Sequence, residues 1–227
     1  MKRTIFITGT DTGVGKTVLT ALLAGFLRER GVRVAALKPV CSGGRDDARR
    51  LHAALRGALT LDEINPWYFR APLAPLLAAR REKKTVKLAA VAGHIRAVRK
   101  NFDVVLVEGA GGLLSPLGED FNSRDLMTAL RARPVIVAPD KLGVVNQILL
   151  TLEALPDGLR AKARVVLMTL PKPDAATGSN AGLLEELSVH NICRLPRFGA
   201  GFSAAEVLRQ PPVRQTLAAV AGLAIYG

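Results

Sequence analysis

The stretch Gly9-Thr10-Asp11-Thr12-Gly13-Val14-Gly15-Lys16-Thr17 constrains this chain more than any other. It follows a β-rich apolar run, Thr4-Ile5-Phe6-Ile7-Thr8, and opens a helical pattern of Val18, Leu19, Leu22, Leu23, Phe26 and Leu27. Strand, glycine-rich turn and helix, in that order, are the setting in which a phosphate-binding loop works. Gly13 and Gly15 allow a tight turn and a close approach of backbone to an anion. The first N–H groups of the helix, over Val14, Gly15, Lys16, Thr17 and Val18, have no intrahelical partner and point at bound phosphate. Lys16 reaches the outer phosphates, and the Thr17 hydroxyl is a ligand for Mg²⁺. The loop is a variant, with Thr10 where the usual pattern has glycine. A dinucleotide fingerprint fits worse, because it needs a third glycine at Val18.

The rest of the pattern alternates strand and helix. Strands are expected at Thr4–Gly9, Val32–Pro39, Val104–Glu108, Val135–Ala138, Arg164–Leu170 and Ile192–Leu195. Helices are expected at Lys16–Arg30, Asp46–Arg56, Val86–Lys100, Val144–Leu155, Ala181–His190 and Val213–Leu223. Short apolar strands between amphipathic helices imply an α/β fold of the P-loop NTPase type, a mostly parallel sheet with helices on both faces. The 227 residues suit one such domain, residues 1–227. The long segment Cys41–Asn101, with Pro66, Pro72 and Pro75, is expected to be partly irregular.

Two further stretches carry chemistry. In Val34-Ala35-Ala36-Leu37-Lys38-Pro39-Val40-Cys41-Ser42-Gly43 a strand ends in a lysine, at the carboxyl edge where α/β sheets bind ligands. In Val104-Val105-Leu106-Val107-Glu108-Gly109-Ala110-Gly111-Gly112 a buried strand delivers a carboxylate, and small residues after it let backbone approach a ligand. Glu108 there suits Mg²⁺, which takes one or two carboxylates with phosphate and water. Asp47, or its neighbour Asp46, supplies a second carboxylate; a helix-dipole role is the other reading for both.

The charge balance, 32 basic against 19 acidic residues for a net +13, raises nucleic-acid binding as a question. The charges are spread, however, and aromatic residues make up only 4%, too few for base-stacking platforms. A solvated basic surface that concentrates anionic nucleotide is the preferred reading, with no nucleic-acid partner. No apolar run is long enough to span a bilayer, and since the chain enters a strand at once, no signal peptide is expected. Two cysteines, Cys41 and Cys193, make no disulfide framework. A cytoplasmic protein without membrane contact is expected. His52, His94 and His190 lack metal-ligand spacing, and no Gly-x-Ser-x-Gly elbow is present.

Taken together, the three motifs resemble the dethiobiotin synthetase family. Asn65-Pro66-Trp67-Tyr68-Phe69 with Pro72 and Pro75 is similar to that family's Asn-Pro-Tyr-x-Phe-x-x-Pro-x-x-Pro segment. Lys141-Leu142-Gly143-Val144-Val145-Asn146 is similar to its Leu-Gly-x-x-Asn turn, and the resemblance thins after about Leu155. It implies an ATP-dependent cyclo-ligase that joins 7,8-diaminononanoate with CO₂ or bicarbonate, through a carbamate and a carbamic–phosphoric anhydride, to form dethiobiotin. Phosphoryl transfer of this kind needs positioning and charge neutralisation. By the resemblance, Lys16, Lys38 and Thr12 are catalytic, with Lys38 contacting carbamate and γ-phosphate. Mg²⁺ sits at Thr17, Asp47 and Glu108, beside Gly109, Ala110 and Gly111. Ser42 touches substrate. A homodimer is implied, in which Leu142, Gly143, Val144, Val145 and Asn146 of one subunit reach the other's substrate. Thr169 stands where many members read adenine with Asn, while Pro196-Arg197-Phe198 retains the second base-binding loop, so the nucleoside of the triphosphate stays open.

Two alternatives belong to other classes. A partition- or septum-type ATPase switch has a lysine at the position of Asp11, which this chain lacks. A corrinoid-type P-loop synthetase usually adds a glutaminase domain, for which 227 residues leave no room.

Overall fold

The computed structural model describes residues 2–196, 198 and 202–222. In chain order the elements are β1 (Arg3–Gly9), α1 (Lys16–Arg28), β2 (Val34–Leu37), β3 (Val40–Ser42), α2 (Asp46–Leu55), α3 (Leu61–Ile64), β4 (Trp67–Phe69), α4 (Pro75–Arg81), α5 (Leu88–Arg99) and β5 (Val104–Glu108). There follow α6 (Ser123–Ala129), β6 (Arg133–Asp140), α7 (Val144–Glu153), α8 (Asp157–Arg160), β7 (Arg164–Thr169), α9 (Asn180–Glu186), β8 (Ile192–Pro196), α10 (Ala204–Val207) and α11 (Pro211–Ala221).

Six strands form one sheet in the order β2-β5-β1-β6-β7-β8, and every pairing in it is parallel. All residues of β2 and β5 are buried, which requires cover on both faces of the sheet. Ile5, Phe6 and Ile7 of β1 are fully buried, each contributing about 1.5–3 kcal/mol of burial free energy. The chain starts at β1 in the sheet's interior, moves to one side through β2 and β5, then crosses to β6 on the other side. The crevice beyond β1 is therefore a topological switch point, where sheets of this kind bind ligands.

The six expected strands and six expected helices are all present; β5 keeps its expected ends, Val104–Glu108, and the others are shifted. The second strand stops at Leu37 rather than Pro39 and begins at Val34 rather than Val32, because Lys38 donates its N–H to Ile64 and so leaves the main ladder. β6 runs longer than expected, over Arg133–Asp140. The helix α1 stops at Arg28, two residues early, ahead of Gly31, which adopts φ +75°. The fifth expected helix ends at Glu186 instead of His190. Leu223, the expected end of the last helix, lies outside the described residues.

The segment between β2 and β5 is more ordered than expected. β3 and β4 pair in parallel as a small second sheet, in the register Val40↔Trp67, Cys41↔Tyr68 and Ser42↔Phe69. Thr60 and Glu63 form a capping box on α3, and Pro75 occupies the first turn of α4. These strands of three residues fall below the window in which a two-residue period can be read. α6 was likewise unexpected; Asn122 and Asp125 cap it reciprocally.

Candidate active site

The loop between β1 and α1 owes its path to its glycines. Gly15 adopts φ +106°, and a Cβ there would meet Met168 Cε at 3.0 Å. Gly13 adopts φ +72°, and a Cβ on Gly9 would strike Val14 Cγ2 at 2.6 Å. Both φ values lie where only glycine sits without strain. Val14 is thus a packing residue that closes the loop against Gly9. Lys16 follows as the first residue of α1, and its Nζ donates to the Asp11 carbonyl at 2.7 Å. The Asp11 carboxylate is turned back into the loop, accepting the Thr12 N–H at 2.6 Å.

Sheet register brings the other charges to the same place. Leu37 of β2 pairs with Val107 of β5, so Lys38 and Glu108 follow as neighbours at the carboxyl edge. Ile7 of β1 pairs with Glu108, which sets the carboxylate beside the strand that feeds the loop. Lys38 Nζ donates to Glu108 Oε1 at 2.7 Å and to Asp47 Oδ2 at 2.5 Å. The Thr17 hydroxyl donates to the same Glu108 Oε1 at 2.7 Å. The Glu108 side chain is fully buried and that of Lys38 is 7% exposed. Of the two candidate aspartates, Asp47 joins this cluster. Asp46 is 93% exposed and pairs with Arg49; it lines the cavity over the cluster without joining it.

Electrostatics separate the two lysines. Burial, and then the charge of Lys38, lower Lys16 to about 8, against smaller opposing pulls from Glu108, Asp47 and Asp11. Burial acts on Lys38 in the same sense, but the charges and hydrogen bonds of Glu108 and Asp47 outweigh it, and the ammonium is held above its ordinary range. Asp47 is raised by burial and lowered more by Lys38, with a net downward shift. One oxygen of the cluster has no partner among the described residues: Glu108 Oε2 is buried and accepts no hydrogen bond from them.

A cavity of about 1010 Å³ opens over this cluster. Thr12, Gly13, Gly15, Lys16, Thr17, Val18, Lys38, Ser42, Asp47, Glu108, Ala110 and Gly111 line it, as their motifs imply. Gly109 lies just beneath, where a Cβ would meet Ser123 Oγ at 3.0 Å and Phe6 at 3.1 Å. At one end the wall includes Met168, Pro171 and Phe198. Thr169 and Pro196, paired at the ends of β7 and β8, are not in that wall, and Arg197 lies outside the described residues. Leu142, Gly143, Val144, Val145 and Asn146 are also away from the cavity of their own chain. They form the start of α7, with Gly143 at φ +88° and Leu142 80% exposed.

In the sequence Asn65 stands out only as part of a family-like segment; the structure gives it a task. Its buried amide donates to the Lys38 carbonyl at 2.7 Å, while its Oδ1 accepts from Cys41 Sγ at 3.2 Å and Arg45 Nε at 3.3 Å. With Lys38 N–H on Ile64 and Trp67 N–H on the Pro39 carbonyl, the segment 64–67 clamps the backbone that carries Lys38. Asn65→Ala leaves buried polar groups unpaired and is expected to cost about 1–3 kcal/mol of stability. It should lower kcat more than it raises KM for nucleotide, since the phosphate loop is untouched. Thermal melts and steady-state kinetics check this; an unchanged kcat would show that Lys38 needs no such clamp.

Cys41 and Cys193 are free and buried. Burial raises both thiols. His94 bonds the Glu63 carbonyl at 2.7 Å and meets Trp67 edge-on, a structural role. Among the described residues no helix is long and apolar enough to cross a membrane.

Comparison with known proteins follows the same line. The family described as an AAA domain matches residues 3–200. An ATP-dependent dethiobiotin synthetase BioD of Anaeromyxobacter sp. (strain Fw109-5) is 47% identical over 157 residues, covering 67% of this chain and 70% of that protein. The protein of the same description from Bacillus subtilis (strain 168) is 34% identical over 214 residues, covering 92% of this chain and 90% of its own length. Among solved structures, a ParA family ATPase from Chlorobium tepidum TLS superposes with TM-score 0.61 at 14% identity, covering 96% of this chain and 97% of its own. The MinC:MinD cell division protein complex of Aquifex aeolicus gives 0.62 at 16% identity, with 96% and 94% covered. Identities that low establish a shared fold and nothing more.

Proposed function

The chain belongs to the ATP-dependent dethiobiotin synthetase family, and on that premise we propose how its residues carry out the reaction. It is an ATP-dependent ligase of dethiobiotin synthesis. The substrate in our reading is 7,8-diaminononanoate, carboxylated by CO₂ and closed to a ureido ring within a single domain. One amine attacks CO₂ and loses a proton, giving a carbamate. A carbamate oxygen then attacks the γ-phosphorus and ADP leaves. The second amine attacks the carbonyl carbon of the anhydride, and phosphate departs as the ring closes.

The observation that supports this most is the buried Lys38 ammonium, fixed between Glu108 and Asp47 at the mouth of the phosphate loop. A permanently charged group there neutralises the oxygens exchanged between phosphate and carbamate. Lys16 and the N–H groups at the start of α1 hold the outer phosphates. Thr12 and Ser42, both in the cavity wall, orient the carbamate and the substrate.

The donor set also fits Mg²⁺. Glu108 Oε2 is a buried oxygen without a partner among the described residues, Asp47 shares the Lys38 ammonium with Glu108, and the Thr17 hydroxyl donates to Glu108. Thr17, Asp47 and Glu108 would hold the ion together with phosphate and water, an all-oxygen donor set of the kind it prefers. When bound, the ion supplies charge neutralisation of the phosphates. Glu108→Gln is expected to shift the Mg²⁺ requirement upward by tenfold or more while the fold persists. A Mg²⁺ titration of activity beside a melting curve measures both, and an unmoved requirement would leave Glu108 as a strand-end residue that only anchors Lys38.

We further propose a homodimer in a cytoplasmic setting. Leu142 and Leu150, 80% and 62% exposed at the start and middle of α7, are the apolar surface a second copy would cover, bringing the Leu142–Asn146 turn to its substrate.

The base end of the cavity predicts loose nucleotide selection. Thr169 offers one short hydroxyl and lies outside the wall, whereas an Asn there could bond both N6 and N7 of adenine. Values of kcat/KM for ATP, CTP and GTP should lie within about a thousandfold, or roughly 4 kcal/mol, and Thr169→Asn should widen the gap. A larger preference in the natural chain means another element reads the base.

The function as a whole is tested by incubating the protein with 7,8-diaminononanoate, bicarbonate, Mg²⁺ and ATP and following dethiobiotin by mass. ADP release without ring product would instead favour a switch ATPase.

A further inference from the structure

At the opposite end of β1 from the phosphate loop, a second cavity of about 450 Å³ is lined by Lys2, Arg3, Arg96, Arg99, Arg131 and Arg133. The seven residues of β1, at about 3.3 Å each, put roughly 20 Å of strand between it and the nucleotide site. Four segments converge there. Lys2 and Arg3 open β1, and Arg133 opens β6, joined to β1 in the register Ile5↔Arg133. Arg96 and Arg99 form the last turn of α5, and Arg131 follows α6. We propose that this cavity binds an oligophosphate, a chain of two or three linked phosphates, as a ligand separate from the nucleotide of the active site.

The alternative explanation is that these cations serve the carboxyl ends of α5 and α6. Some of them do: Lys2 donates to the Lys100 carbonyl at the end of α5, and Arg96 donates to the Ala129 carbonyl at the end of α6, at 2.8 Å. Two helix ends together present only about one unit of negative charge, against Lys2, Arg3, Arg96, Arg99 and Arg131 alone. Among the described residues no carboxylate lines the cavity. Asp103, whose carboxyl feels Lys2, is already held by Arg33 in two hydrogen bonds of 3.0 and 2.7 Å. The same backbone contacts, with Arg99 on the Thr4 hydroxyl at 3.4 Å, fix the side chains and lower the entropic cost of gathering an anion.

The chemistry of the wall sets the ligand class. Guanidinium groups fork onto phosphate oxygens, and five of the six cations are arginines. Cations drawn from four segments are spread more widely than a single phosphate spans. Among the described residues no aromatic side chain lines the cavity, so none of them stacks on a base, and recognition falls on phosphates.

The test is calorimetric titration of inorganic tripolyphosphate into the full chain carrying Lys16→Ala, which silences the phosphate loop. One tripolyphosphate per chain should still bind. Adding Arg96→Gln and Arg131→Asn should weaken it tenfold or more; Asn tolerates the φ of +49° at position 131. A control pair, Arg81→Gln and Lys83→Asn, removes the same charge from another exposed face, again with one residue at positive φ, and should change affinity less than twofold. Melting curves check that each protein is folded, and Arg131→Asn alone serves if the pair is not. Competition by ADP would assign a nucleoside-linked oligophosphate, and its absence an inorganic one. Equal weakening by both pairs would reduce the effect to diffuse charge and overturn the proposal. So would binding of a duplex oligonucleotide through these residues without tripolyphosphate binding. In the chain with Lys16 intact, kcat of Arg96→Gln/Arg131→Asn should equal that of the natural protein.

Discussion

Lys38→Ala is expected to lower kcat/KM for dethiobiotin formation by at least about a hundredfold, the usual loss of about 3 kcal/mol when one preorganised donor to a reacting oxygen is removed. The same substitution should also weaken the fold. Lys38 is the cation that compensates Glu108, whose side chain is fully buried, and Asp47. Removing one partner of a buried pair typically costs about 3–5 kcal/mol, because the other charge is left uncompensated. The pH dependence follows in sign. The Lys38 pKa is raised above the 10.5 of the unfolded chain. Its contribution is therefore fully present below about pH 10.5 and is lost as pH rises toward the folded value. The double variant Lys38→Met/Glu108→Gln separates the two effects. It should recover most of the stability, since both charges are gone, and none of the activity. Denaturant titrations and the product assay measure these, and substantial turnover in Lys38→Ala would remove Lys38 from the mechanism.

Lys16→Ala should show the opposite pairing of effects. Activity should fall by two orders of magnitude or more, because the side chain and the N–H groups at the start of α1 act together on the outer phosphates. Stability of the nucleotide-free protein should hold or rise. Burial and the Lys38 charge depress Lys16 to about 8 from 10.5, so its protonated form costs the fold free energy below about pH 8. That cost fades as pH rises from about 8 toward 10.5, where the unfolded chain also begins to deprotonate. Melting curves at pH 7 and nucleotide titrations test this together. A strongly destabilised Lys16→Ala protein would show that its bond to the Asp11 carbonyl, not phosphate binding, is its main task.

Much of this site was legible in one dimension because its chemistry is carried by contiguous residues. Gly9 to Thr17 specify strand, turn and helix by local means, through glycine conformations and orphan N–H groups that need no distant partner. The six strands of the main sheet were equally plain, since each is an apolar run long enough to read. What could not be read was which of two adjacent aspartates faces the cluster. Asp46 and Asp47 are both first-turn acids on α2, and only the docking of that helix against α1 and β2 turns Asp47 inward and leaves Asp46 with Arg49.

Asn65 illustrates the same limit. Nothing local distinguishes it from a turn asparagine, and its value comes from the Lys38 carbonyl, 27 residues away in sequence. The three-residue strands β3 and β4 exist because they pair with each other, not because either has a strong preference of its own. The basic residues read as a dispersed surface, and most are; six of them from four segments nevertheless meet at the amino edge of the sheet. By itself, then, the sequence determined the phosphate loop, the alternation of the six main strands with their longer helices, and the family, all of which rest on neighbouring residues and short-range periodicity. The tertiary structure alone decided which charges meet: Lys38 with Glu108, Asp47 rather than Asp46, Arg3 with Arg133. Such pairings are set by sheet register and helix packing, and these arise from burying apolar surface between segments far apart in the chain.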